Sequence, residues 1–356
     1  MKSAILNFER AENLQATTTA EKRGLARDEV RLMVTTPDGN IHARFRDLPS
    51  FLLPGDLIVI NESATMPASL PAKGPLGEFT VNLSTHYGGE LWLAEPRFSA
   101  GEPGPLPLEP GQSIEIAGLP AHLVSQYPGL PRLWFVRIEG DVVGAMERRG
   151  VPIRYGYVDE DQPLEAYQTL FSKVSGSAEM PSAARPFTPR VVKALKAKGV
   201  KFAGILLHTG VSSLEVEVAD LEDQVMYGEP FSVSEQTALA VNEAMREGRR
   251  VIAVGTTVVR ALESAWDGNQ VKAVSGFTRL FIYPERGVHV VDGILTGFHD
   301  PMATHLAMLY AIAGEEMIRS SYAEAVASGY LWHEFGDSNL ILSGRTRAPA
   351  KHDSRS

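Results

Sequence analysis

The 356-residue chain contains no cysteine. That absence excludes disulfides, thiolate zinc sites, iron–sulfur clusters and cysteine nucleophiles. Long apolar runs are also missing. The N-terminus, MKSAILNFERAENL, has no apolar stretch of the kind a signal peptide needs. The most apolar helical run, roughly residues 301–314, is too short to span a bilayer and carries His305. Positive charge is in short supply too: 34 Lys and Arg stand against 43 Asp and Glu, a formal net charge of -9. A protein that grips long nucleic acid over its whole surface is usually basic, so any nucleic-acid contact is expected to be local. These absences lead to the expectation of a soluble, cytoplasmic, acidic protein with no membrane partner. The length suffices for two domains, or for one with a large insertion.

Several familiar motifs are absent as well. There is no G-x-G-x-x-G after a strand, no Walker A sequence, no G-x-S-x-G and no H-E-x-x-H. His299 and His305 lie six apart, which is not a usual ligand spacing, and no metal is expected.

What is present divides by texture. Residues 1–72 contain strand-like runs at 30–35 and 57–60, the second following a Pro-Gly-Asp turn. Residues 73–150 carry short alternating runs, FTVNLST, GELWLAE, SIEIAG, AHLVSQY and RLWFVRIEG, between Gly/Pro-rich turns. Five or six strands at this spacing predict a small antiparallel barrel or sandwich. From 151 onward strands alternate with helices. TPRVVKALKAKG predicts a helix with Thr188 as N-cap, Pro189 in the first turn and Gly199 as stop. SVSEQTALAVNEAMREG predicts another, capped by Ser232 or Ser234. The predicted fold class is α/β: a mostly parallel sheet with flanking helices, built from 1–72 and 151–342. It is interrupted by an inserted β-barrel at 73–150 and followed by a disordered tail at 343–356.

Ligands of open parallel sheets gather outside the carboxyl ends of the strands. Three predicted strands end in polar residues: His208 and Thr209, Thr256 and Thr257, and Thr296 with His299. If the strands are neighbours, these residues share one rim. Backbone amides at the start of the TVVRALESA helix would favour an anion there. Thr256 and Thr257 equally suit plain helix capping, and Arg260 and Glu263 equally suit a surface i,i+3 ion pair. GSAEMPSAARPFT reads either as a ligand-hugging loop or as a tight connection. The residues by themselves indicate an α/β enzyme with an inserted β domain and an anion-friendly rim.

EGRRVIAVGTTVVRALES, together with FIYPERGVHVVDGILTGFHDPMATHLAML, FGDSNLIL, LPSFLLPGDLIVINESATMPASL and AYQTLFSKVSGSAEMPSAARPFT, resembles in order, over nearly the whole chain, the S-adenosylmethionine:tRNA ribosyltransferase-isomerase family of queuosine biosynthesis. The resemblance implies a transferase that uses S-adenosylmethionine as a ribosyl-donating substrate, without a metal. The acceptor would be a 7-aminomethyl-7-deazaguanine in a tRNA anticodon loop, the product epoxyqueuosine, and the enzyme a monomer. It implies catalytic roles in proton handling for His299, Asp337 and Glu263. It implies substrate binding by Asn61, Tyr167, Gln168, Thr256, Thr257 and Arg260, to which the strand-end reading adds His208. Arg260 and the Thr256–Thr257 turn would hold a carboxylate or phosphate, and Arg260→Ala would then abolish binding without loss of stability. The chain departs from the family pattern at Ala64, at Pro186, over 211–214, and in TGFHDPM, where Asp300 is gained. Two other functions fit such departures: an enzyme of the same fold with a small nucleoside-like acceptor, and a non-catalytic nucleotide-binding protein.

Overall fold

LIVIN at 57–61 and VIAV at 251–254 are apolar at successive positions, so neither face of these strands suits water. In the computed structural model both are buried throughout and lie side by side at the centre of a nine-stranded sheet. The structure describes residues 1–99, 102–211, 215, 216 and 218–345.

The strands are β1 (Arg31–Thr36), β2 (Gly39–Arg44), β3 (Leu57–Asn61), β4 (Ser63–Thr65), β5 (Ser69–Gly74), β6 (Gly77–Gly88), β7 (Leu91–Arg97), β8 (Ser113–Ile116), β9 (Leu119–Tyr127), β10 (Leu130–Ile138), β11 (Val174–Ser177), β12 (Lys201–Leu207), β13 (Glu229–Val233), β14 (Val251–Val254), β15 (Val274–Thr278), β16 (Gly293–Gly297) and β17 (Ser338–Leu342). The helices are α1 (Val142–Arg149), α2 (Pro189–Ala197), α3 (Glu235–Arg246), α4 (Thr256–Ser264), α5 (Thr304–Ala313) and α6 (Glu315–Ala327).

The sheet order is β15-β13-β12-β3-β14-β16-β17-β1-β2. The central block β12-β3-β14-β16 is parallel, while β13, β15, β17 and β2 add antiparallel pairings. The sheet is therefore mixed at its flanks, and at β1–β2 the two-residue turn allows only an antiparallel pair. Within the block, Leu57 is level with Lys201 and Val251, and Val254 with Leu295. The carboxyl ends of four strands thus open on one edge.

Alternation along each strand divides the core. Leu57, Val59, Val251 and Ala253 point to one face, under α3 to α6. Ile58, Ile60, Ile252 and Val254 point to the other, under α2 and the Phe45–Phe51 turn segment. Thr188 caps α2 by accepting the Val191 amide, and Ser234 caps α3 by accepting the Thr237 amide, as the sequence predicts.

Strands β5 to β10 close into a six-stranded barrel, in the order β10-β7-β6-β5-β8-β9, around its own core. Its first strand, SLPAKG, starts four residues before the predicted insertion. Pro71 hides it in the sequence, since proline is rare inside paired strands. A parallel ribbon of β4 and β11 leads from the sheet to the barrel, where the Met66 amide donates to the Ser177 carbonyl at 2.8 Å. Of the predicted tail, Ser343 is held by a 2.8 Å bond to the Asp292 carbonyl, and residues 346–356 lie outside those described. No helix among the described residues is long and apolar enough to cross a membrane.

Candidate active site between the sheet edge and the barrel

A cavity of about 390 Å³ lies where the carboxyl ends of β12, β14 and β16 face the barrel strands β7 and β10. Thr209, Gly255, Thr256, Thr257, Arg260, Thr296 and His299 line it from the sheet side, and Arg97 and Arg132 from the barrel. The tertiary fold thus gathers the three predicted strand ends on one rim, with one exception. His208 faces a separate cleft on the barrel side, where its Nδ1 bonds Ser63 Oγ at 2.8 Å and burial lowers its pKa.

The turn after β14 is built for close approach. Gly255 adopts φ 90°, and its missing Cβ would sit 3.4 Å from Ala183. No side chain caps α4, so Thr256 and Thr257 are not helix caps. Thr257 Oγ1 instead accepts from Asn61 Nδ2 at 3.3 Å. Asn61, buried at the end of β3, also donates to the Leu207 carbonyl and accepts the Leu207 and Ser63 amides. The first turn of α4 thus borders the cavity without a side-chain cap among the described residues, and an uncapped helix start suits an anion.

Arg260 and Glu263 do not pair with each other, and neither is on the surface. The Arg260 guanidinium is bound to the buried Glu229 carboxylate and to the Leu280 and Thr278 carbonyls. It borders the cavity, with its donors largely engaged by these three acceptors. Glu263 lies outside the cavity lining. Its carboxylate accepts the His289 and Val290 amides, both at 2.8 Å, and contacts Arg286 and His289. Asp337 is also outside the lining. It accepts the Arg31 and Leu331 amides, each at 2.8 Å, and so fixes the loop that carries His333 and Glu334. Gln168 clasps Thr65 through its amide nitrogen and carbonyl. Tyr167, 1% exposed, packs edge-on against Phe335. Neither is among the residues that line the cavity.

His299 lies inside. Its Nε2 meets Thr296 Oγ1 at 2.9 Å, its amide donates to the Tyr322 hydroxyl, and its carbonyl accepts from the Trp332 indole. Its ring is 4.7 Å from that of His305. Burial, then the charges of His305 and His333, hold the His299 pKa well below the ordinary value. Burial, then Arg260, lowers His305 to about 4.

The far wall is one the sequence did not reveal. Tyr155, Tyr157 and His333 form a stack, with ring centroids 5.6 Å and 4.2 Å apart and planes inclined by 7° and 22°. His333 sits at φ 73°, a region that favours glycine. It is held there by the stack and by Asp300, 2.8 Å from its Nε2. Asp300 also binds Arg10 at 2.8 Å, so the residue gained in TGFHDPM has a built place. Beside the stack are two carboxylates, Glu179 and Glu334. Burial, then the charge of Glu179, raises Glu334 to about 8, against the pull of Arg185. Glu179, in GSAEMPSAARPFT, is among the residues that line the cavity. Glu334 is three residues from Asp337, in the loop that Asp337 fixes. Of the departures, Val211 is buried with its amide on Ser84 Oγ, and 212–214 lie outside the described residues.

A model of the family described as queuosine biosynthesis protein matches residues 4–341. The S-adenosylmethionine:tRNA ribosyltransferase-isomerase of Thermus thermophilus is 41% identical over 325 residues, covering 89% of this chain and 93% of the relative. The enzyme of the same name from Deinococcus radiodurans is 37% identical over 353 residues, covering 95% and 94%. The crystal structure of an S-adenosylmethionine tRNA ribosyltransferase from Thermotoga maritima is similar with a TM-score of 0.53 and 27% identity, over 95% of this chain and 100% of that one. The chain belongs to the queuosine biosynthesis protein family.

Proposed function

We propose that the chain is an S-adenosylmethionine:tRNA ribosyltransferase-isomerase. It moves the ribosyl group of S-adenosylmethionine to a 7-aminomethyl-7-deazaguanine in tRNA, forming epoxyqueuosine. One observation carries this beyond the family match: a single cavity joins an uncapped helix end to an aromatic stack. The substrate has the complementary parts. Its methionine carboxylate suits the amides of the Thr256–Thr257 turn, and its adenine suits the face of Tyr157 or Tyr155. Asn61 positions that turn through Thr257. His299, neutral at physiological pH because of its low pKa, serves as a hydrogen-bonding group or base rather than as a cation. The reaction as proposed calls on no metal. The enzyme acts as a monomer whose tRNA contact is local, with Arg97 and Arg132 at the barrel side of the opening.

The test is adenine release from S-adenosylmethionine by the purified protein, with and without tRNA carrying the aminomethyl-deazaguanine. Release that requires the tRNA supports the proposal. Release with a small deazaguanine nucleoside alone would favour the small-acceptor enzyme. Binding without release in any mixture would favour the non-catalytic reading.

A further inference from the structure

A ribosyl group leaves S-adenosylmethionine only if two of its bonds break, and the two leaving groups differ in need. The carbon–sulfur bond releases a neutral thioether from a sulfonium, and its electron pair simply stays on sulfur. The glycosidic bond releases adenine, which is a poor leaving group as an anion and a good one once protonated. An enzyme for this reaction therefore needs an acid near the purine, and that acid must be protonated at neutral pH.

The cavity contains such a group. Glu334 is carried on the loop held by Asp337, next to His333 and the tyrosine stack proposed to take the purine. Its Oε2 is buried and has no hydrogen-bond partner among the described residues. The same is true of the Tyr157 and Tyr167 hydroxyls, both of which feel the Glu334 charge. Unsatisfied polar atoms are rare in folded interiors, and three so close together suit a polar ligand that is yet to arrive. The charged groups facing Glu334 are Glu179 and Arg185. Arg185 is already bound to Glu21 at 2.9 Å and to the Ala166 carbonyl at 2.9 Å, so it does not claim the Glu334 carboxylate.

We propose that Glu334, which shares the cavity with Glu179, is the catalytic residue that protonates adenine as it leaves. The C1′–N9 bond breaks with its electron pair going to N9. The Glu334 proton passes to a ring nitrogen of adenine, and neutral adenine departs. The ribose oxygen stabilises the positive charge left at C1′ until the lone pair of the aminomethyl nitrogen forms the new C–N bond. The surplus proton on that nitrogen returns to the Glu334 carboxylate, which restores the acid. Glu179 acts as a positioning residue for the proton, because its charge beside Glu334 keeps the proton on Glu334.

This assignment rests on the proposed ribosyl transfer, and the test separates the two. Adenine release is measured across pH for the wild-type chain, Glu334→Gln, Glu334→Asp and Glu179→Gln, with S-adenosylmethionine affinity measured alongside by calorimetry. Wild-type activity should fall as pH rises through about 8. Glu334→Gln should lower kcat by about 10²–10⁴-fold with affinity roughly unchanged. An analogue whose purine is a more stable anion should restore part of that loss, while Glu334→Asp should keep the alkaline limb. Glu179→Gln should move that limb to lower pH by about one unit. A wild-type chain that turns over while Glu334→Gln matches its kcat and pH profile overturns the acid role alone. A wild-type chain that releases no adenine with the modified tRNA overturns the ribosyl transfer, and this assignment with it.

Discussion

Arg260 and Glu263 stand three residues apart on α4, yet each turns to a different part of the molecule. Arg260 binds Glu229 on β13, and Glu263 binds the amides of His289 and Val290 in the segment before β16. The helix thereby ties an edge of the sheet to the loop ahead of its central block. Both residues are buried, so neither contact is a solvated surface pair.

Removing the Arg260 side chain should therefore destabilise the protein rather than leave its fold untouched. Glu229 would become a buried carboxylate with no cation, at a cost of about 3–5 kcal/mol. Arg260→Met should lower the denaturant midpoint accordingly, and Arg260→Met with Glu229→Gln should regain part of the loss. A single variant with wild-type stability would contradict the pairing.

Glu263→Ala should remove the carboxylate that accepts the His289 and Val290 amides. Losing these charge-assisted bonds should cost about 2–3 kcal/mol. Hydrogen exchange should localise the effect, with faster exchange at the amides of His289 and Val290. Unchanged exchange there would rule out the brace.

The titrating groups of the cavity predict a stability profile with two opposed limbs. His305 falls from 6.5 to about 4 on folding, and His299 is lowered too. The unfolded chain then binds more protons, so their contribution is present above about pH 6.5 and is lost as pH falls, through about 4 for His305. Glu334 rises from 4.5 to about 8. There the folded chain binds more protons, so its contribution is present below 4.5 and is lost as pH rises through 8. Of these three groups only Glu334 still titrates above pH 6.5. The decline in melting temperature between pH 6.5 and 8.5 should be shallower in Glu334→Gln, with the shape of the profile below pH 4.5 unchanged; an identical decline would count against the shifted carboxyl.

The Tyr155–Tyr157–His333 stack should matter for the purine. Tyr157→Ala should weaken S-adenosylmethionine binding by about 1–3 kcal/mol, the usual worth of stacking one base on an aromatic ring. Methionine alone should bind the variant as it binds the wild type. Equal loss for both ligands would point to a collapsed wall instead of a lost platform.

Much of this architecture was legible in the chain. Apolar runs at 57–61 and 251–254 announced central strands, Thr188 and Ser234 announced helix starts, and short alternating runs announced the barrel. The rim was legible as well, because polar residues after buried parallel strands have one natural place to go. The wall opposite the rim was not. Tyr155, Tyr157, Glu179, His333 and Glu334 come from three loops with no periodicity, and nothing in their spacing brings them together. Asp337 and Glu263, to which the family resemblance gives proton handling, have their carboxylates on backbone amides and lie outside the cavity lining, a placement that motifs read in order do not show. Burial with satisfied hydrogen bonds makes an equally strong demand on residue type.

The sequence by itself determined the fold class, the strand ends that face the site and the family, since these rest on local pattern and on motifs read in order. The tertiary structure alone decided which charges are spent and which are available. Arg260, Glu263 and Asp337 are engaged by other segments of the chain, whereas Glu334 Oε2 is buried with no hydrogen-bond partner among the described residues and feels the charge of Glu179. The reason is physical: the proton affinity and accessibility of a side chain depend on the dielectric and the charges around it, and those are supplied by segments that the chain order keeps apart.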